Sequence, residues 1–332
     1  MKKILRKVSA AATAACLIMF LTGQAGSAEQ KILKVGYTGG LCEAPLHIAI
    51  EKGFFAGEGL VVEAIKLAPG TNFEAITAGK IDASFGLLAT LIQPLSNGLP
   101  IKITTGLHTG CDKLLVPAGS PIKKPADFRG KRIGVPSLTS SPIMFAKRAL
   151  AAAGVNVGNK NLEVDFIVFS NAELPLALER GAVDALAAND PVAARAAKEY
   201  NLTVLVDSAL TPPYNTQYCC AAYVSAELAA KDPESAARYT RAMQKAAAWI
   251  QKNQDETTQI QVEKKYVAGD PIFNASVLKT YNYIPSVKGA YSAFGITAQE
   301  LKAIGILGDK ADVEFLQKNS FALLPGVEES MQ

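Results

Sequence analysis

Up to about residue 225 the chain alternates short apolar runs with stretches of helical period, and beyond it only the helical period remains. The runs predict strands over 31–37, 61–67, 81–85 and 101–107, with 113–116 continuing in extended form. Between them lie a polar loop over 38–44, a helix over 45–52 stopped by Gly53, and a short helix over 73–78. A second set of strands is predicted over 132–135, 162–169, 183–187 and 203–206, with helices in the gaps and a return strand over 214–224. Strands alternating with helices at this spacing predict an α/β protein of parallel sheets covered on both faces. The tail after Ser225 carries helix starts at Asp232-Pro233-Glu234 and Thr297-Ala298-Gln299-Glu300, and is expected to pack back on the first lobe.

The chain nearly repeats itself. Ala75-Ile76-Thr77-Ala78-Gly79-Lys80-Ile81-Asp82-Ala83 and Ala177-Leu178-Glu179-Arg180-Gly181-Ala182-Val183-Asp184-Ala185 share Ala-apolar-x-x-Gly-x-apolar-Asp-Ala. Upstream, Lys34-Val35-Gly36-Tyr37 resembles Arg132-Ile133-Gly134-Val135, and each is followed by a polar loop and a proline suited to a first helical turn, Pro45 or Pro142. Two similar α/β units imply two lobes facing each other across a cleft, where small ligands bind.

Residues 1–28 read as a cleaved secretory signal: Lys2, Lys3, Arg6 and Lys7 precede an apolar run, and Gly26-Ser27-Ala28 offers a cleavage site. The expected home is the periplasm. The whole chain has 34 Lys and Arg against 30 Asp and Glu. All four charges of the signal are basic, so the remainder is formally neutral and lacks the concentrated basic face that nucleic-acid binding needs. The expected lobes are 29–116 with 208–332, and 117–207.

Two strand-end loops lead straight into helix N-termini, where unpaired amides and the helix dipole favour a small anion. The first supplies Thr38, Gly39, Gly40 and Cys42. The second supplies Ser137, Thr139, Ser140 and Ser141, with Ser141 placed to cap. Other strand-end candidates are Gly70, Thr71, Asn72, Leu87, Asn189 and Asp190. An ionised Asp190 in the cleft would oppose a bare anion and favour a ligand that also carries an amine or ring nitrogen.

Beyond Cys16 of the signal, Cys42, Cys111, Cys219 and Cys220 remain, all near the cleft or the hinge. In an oxidising compartment the leading reading is a structural disulfide of Cys111 with Cys219 or Cys220. The alternative is a soft metal or thiophilic site pairing Cys42 with His47 and His108 with Cys111. No resident cofactor or metal is otherwise expected. The sequence has no G-x-S-x-G elbow, no H-E-x-x-H and no phosphate-cradling lysine loop.

The phrase Ile48-Ala49-Ile50-Glu51-Lys52-Gly53-Phe54-Phe55 followed by Glu58-Gly59-Leu60, then Glu74 to Asp82 and Phe85-Gly86, resembles the sulfonate, nitrate, taurine and thiamine-precursor group of solute-binding proteins. Leu115 to Ile122 and Asp127 to Val135 are similar to that family's entry into its second lobe. The resemblance implies a type II periplasmic binding fold with two crossover strands and no catalysis. It implies a monomer that captures a small solute by hinge closure and serves an ABC permease and its ATPase. Because proteins that make a thiamine pyrimidine precursor share the resemblance, an enzyme using a Cys-His pair is the competing expectation.

Overall fold

The computed structural model describes residues 32–68, 70–158 and 160–327, and the expected signal 1–28 lies outside them. Among the described residues, ten strands form two five-stranded sheets. The first contains β1 (Ile32–Tyr37), β2 (Val61–Lys66), β3 (Ala83–Leu87), β4 (Ile101–Thr109) and β10 (Tyr218–Ser225) in the order β2-β1-β3-β10-β4. The second contains β5 (Asp112–Pro117), β6 (Lys131–Val135), β7 (Val164–Val168), β8 (Ala185–Asn189) and β9 (Leu202–Asp207) in the order β7-β6-β8-β5-β9. The two orders are the same pattern read twice, so the internal repeat of the sequence is a repeat of topology.

The sheets are mixed where parallel ones were expected. In each, the fourth strand runs antiparallel to its neighbours: β10 against β3 and β4, and β5 against β8 and β9. These are the two crossover strands. Each enters its sheet from the opposite lobe and therefore travels against the strands that belong there. The same fact moves the expected boundary near residue 117: β5 pairs wholly within the second sheet, so the outgoing crossover lies at Gly110-Cys111.

The repeated Gly-x-apolar-Asp-Ala has a physical reason. Gly79 (φ 67°) and Gly181 (φ 69°) end the helices Asn72–Thr77 and Leu174–Glu179 in the left-handed region that favours glycine. Three residues later the aspartates open the parallel pairings of β3 with β1 and of β8 with β6. Asp82 Oδ2 accepts from the Lys34 amide (2.9 Å) and Asp184 Oδ2 from the Arg132 amide (2.8 Å). Their own amides donate to the Lys34 and Arg132 carbonyls, both at 2.8 Å. The carboxylate supplies an acceptor where the ladder has not yet begun.

The helical tail covers the first lobe but also grips the second. Helix Pro233–Ile250 buries Tyr239, Met243 and Ala246 against Leu46, Phe55 and Val224. Helix Val287–Ala303 sends Phe294 and Leu301 into a core that also holds Ile103 of the first sheet and Leu114 and Ile133 of the second. Truncating such a buried Phe to Ala costs about 3–5 kcal/mol, so this helix is part of the fold and not an appendage. Two polar ties add to it: Glu300 pairs with Arg148, and Tyr281 Oη donates to Asp190 Oδ2 at 2.8 Å. Gly289 lets the helix approach Tyr218 of β10, since a Cβ there would meet the ring at 2.2 Å.

Candidate ligand-binding cleft

The loop after β1 carries the features expected of an anion site, and the chain fills it itself. The buried carboxylate of Glu43 accepts from the amides of Thr38 (2.9 Å), Gly39 (2.5 Å) and Gly40 (2.7 Å) and from the Thr38 hydroxyl (2.9 Å). Thr38, Gly39 and Gly40 therefore hold Glu43, and their predicted role toward a ligand is corrected. The local sequence explains why. Leu41–Glu43 is a single turn of 3-10 helix, and an acid at its third position reaches back to the amide before it, as in a capping box. Burial, with the Cys42 thiol adding, pushes the Glu43 carboxyl up to about 7.

The corresponding loop after β6 is not filled in this way. Helix Ser141–Ala152 begins with Ser140 as N-cap, and no side chain caps its amides. The Ser140 hydroxyl turns back to the Ser137 carbonyl (2.8 Å), and Thr139 is exposed. Ser141 is not the cap that was expected. It is the first helical residue, and its hydroxyl donates to the buried carboxylate of Asp112. Asp112 Oδ1 has no partner, and burial raises its carboxyl to about 7.

Ser141 and Asp112 line a cavity of about 30 Å³ between the lobes. The second lobe and its crossovers add Phe145, Arg148, Ser208 and Tyr214. The first lobe and tail add Ala89, Gln217, Tyr218, Cys219 and Thr297. Arg148, two turns along the same helix face from Ser141, pairs with Glu300 and donates to Gln217, with Tyr214 beneath its guanidinium at 5.5 Å. Sequence reasoning missed Asp112, Arg148 and Gln217. The signal for Arg148 was an arginine on the apolar face of the helix, seven residues after Ser141. Asp112 and Gln217 had none, since only the crossover geometry brings them to the cavity.

The remaining candidates are placed elsewhere. Gly70 and Thr71 are exposed, and the Thr71 hydroxyl donates to the Ala68 carbonyl. Asn72 donates to Ser84 Oγ (3.1 Å), and Leu87 is the N-cap position of helix Leu88–Ser96 and pairs with Cys220. Asn189 pairs with Asp112 across β8 and β5. Asp190 does not present a free charge to a ligand. It is 3% exposed, forms an ion pair with Lys113, and accepts from Tyr281 and from the Ala194 amide.

The four cysteines converge. Cys42, Cys111 and Cys220 have sulfurs all within 4.8 Å of one another, and Cys111 Sγ lies 3.1 Å from Cys219 Sγ, each present as a free thiol. His47 does not join them: it stacks on Tyr266 at 4.2 Å and bonds Gln261.

Two lobes of the same topology, two crossovers and a lined cavity between them define the periplasmic binding protein fold. The chain belongs to the NMT1-like family, whose model matches residues 26–263. No curated protein sequence matches it. Among solved structures it is similar to the periplasmic aliphatic sulphonate binding protein SsuA from Escherichia coli, at 19% identity and a TM-score of 0.71, over 91% of this chain and 94% of that one. It is similar to the periplasmic nitrate-binding protein NrtA from Synechocystis PCC 6803, at 19% identity and 0.69, over 88% and 86%. The ligand binding component of an ABC-type import system from Staphylococcus aureus, with zinc bound, matches at 15% identity and 0.70, over 90% and 100%. At these identities the structures share the fold.

Proposed function

We propose that this protein is the extracytoplasmic solute-binding component of an ABC importer, exported by its N-terminal segment and working as a monomer with a membrane permease and its ATPase. The observation that carries this reading is the cavity to which both lobes and the tail contribute, with Ser141 and Arg148 lining it from one helix face and Asp112 from β5. A volume of about 30 Å³ is that of roughly one water, so capture of such a solute requires the lobes to move apart, as in hinge closure. The uncapped helix start suits a small anionic group of sulfonate, nitrate or carboxylate type. The unpartnered Asp112 oxygen favours, within that class, a solute that also carries an N–H or O–H donor, a heterocycle included.

Isothermal titration with small sulfonates, nitrate, carboxylates and aminated heterocycles tests the reading, together with native mass spectrometry of protein taken from its own periplasm. The expected result is one solute per chain, recovered unchanged. Consumption of the solute by purified protein would replace the binding reading with an enzymatic one.

A further inference from the structure

We propose that Cys42, Cys111 and Cys220, with Cys219 adjoining through Cys111, form a binding site for one soft, thiophilic metal cation at the junction of the two lobes, beside the solute cavity and sharing Asp112 and Cys219 with its lining. The four sulfurs come from three separate segments: the turn after β1, the outgoing crossover and the return strand. Adjacent residues of a regular strand point to opposite faces, which would keep Cys219 and Cys220 apart. The ladder of β10 with β4 is irregular at that point. Tyr218 pairs with Thr109 and Cys220 with His108, so Cys219 is the extra residue of a bulge. The bulge turns both thiols toward Cys111.

Tetrahedral thiolate coordination at Zn–S of about 2.3 Å puts the sulfurs about 3.8 Å apart. The separations here, 3.1 Å for one pair and under 4.8 Å for the buried triad, bracket that value. Two further donors sit at the same place without partners. His108, the ladder partner of Cys220, is fully buried, and its Nε2 has no hydrogen-bond partner. A carboxylate oxygen of Asp112 lies within 4.8 Å of the Cys111 and Cys219 sulfurs, and its Oδ1 is buried and unpaired. A pair of disulfides would consume the thiols and leave both orphans as they are. A cation gives each of them a charge to face, and thiol donors select a soft one over magnesium or calcium. On binding, each ligating thiol releases its proton to solvent. Cys219 is partly exposed and lines the cavity, which gives the cation its way in from between the lobes.

The test uses the exported full-length protein, freed of metal and reduced with a phosphine, under anaerobic conditions. Titration with Co2+ as a spectroscopic probe is expected to develop thiolate-to-metal charge-transfer bands that saturate at one equivalent, and one equivalent of Zn2+ should abolish them. Cys42→Ser and Cys220→Ser should each weaken Co2+ binding at least tenfold and lower the charge-transfer intensity, with circular dichroism showing a retained fold. Should either variant fail to fold, the wild-type spectrum and its stoichiometry decide alone. Absence of charge-transfer bands in reduced wild type would overturn the proposal. So would undiminished Co2+ binding in the folded Cys219→Ser/Cys220→Ser double variant. These readouts need no solute, so they fail independently of the importer reading.

Discussion

The loops that follow β1 and β6 occupy equivalent places in equivalent sheets, and they have opposite fates. After β1, three backbone amides and a hydroxyl converge on one carboxylate that the chain supplies from Glu43. After β6, the helix start keeps its amides uncapped, and its first hydroxyl is turned toward Asp112 at the cavity. The repeated backbone therefore presents a loop at a helix start twice, and in the first copy the chain's own Glu43 takes up the amides.

The largest expected effect comes from emptying the first cradle. Glu43→Ala leaves four donors without their acceptor and should cost roughly 3–5 kcal/mol in denaturant unfolding, at about 1–3 kcal/mol for each poorly rehydrated donor. Added sulfate should recover part of that loss in the variant and leave the wild type unmoved. A variant as stable as wild type would show that the cradle has no need of an anion.

A pH series sharpens the same point. The folded Glu43 carboxyl sits near 7, above its ordinary value of 4.5, so between those values the folded state holds more protons than the unfolded one. Stability should therefore fall as pH rises from about 4.5 to 7, with Glu43 contributing roughly 2–3 kcal/mol across the window. Buried Asp112 acts in the same direction. Glu43→Gln should flatten the dependence of the unfolding midpoint on pH, and an unchanged slope would assign it to other groups.

The second cradle is tested through binding. Thr139→Ala with Ser140→Ala should weaken solute affinity by at least tenfold, the cost of about 1.5–3 kcal/mol for a hydrogen bond to a charged group, while stability stays within about 0.5 kcal/mol. Equal affinity by calorimetry would move the anion away from this helix start. The smallest effect compares the twin aspartates. Asp82→Asn and Asp184→Asn should each cost about 1 kcal/mol. Asp184 should be the more sensitive, because its carboxylate also accepts from the Arg132 guanidinium at 3.0 Å. Costs near zero at both would remove the physical reason offered for the repeated motif.

Much of the scaffold was legible along the chain. The repeat, the strand positions and the all-helical tail are local patterns of apolar period and glycine stops, and each was readable from neighbours in sequence. The site was legible only in part. Ser141 was expected at the ligand, and it does line the cavity, but as a donor to Asp112. The Gly40-to-Glu43 spacing of a capping box was present and went unused. Asp190 was expected among the strand-end groups of the cleft, yet it is buried with Lys113, because β5 arrives from the other lobe and carries its lysine alongside β8.

The sequence by itself determined the two α/β units, their order and the turns that begin and end their elements, since hydrophobic period, glycine and the Asp-Ala starts act over a few residues. Only the tertiary structure decided which charges meet. The antiparallel crossovers bring Asp112, Arg148 and Gln217 to one cavity from three parts of the chain, and the bulge at Cys219 gathers four thiols at the hinge. Contacts between distant segments depend on the direction and register in which strands enter a sheet, and no local pattern encodes them.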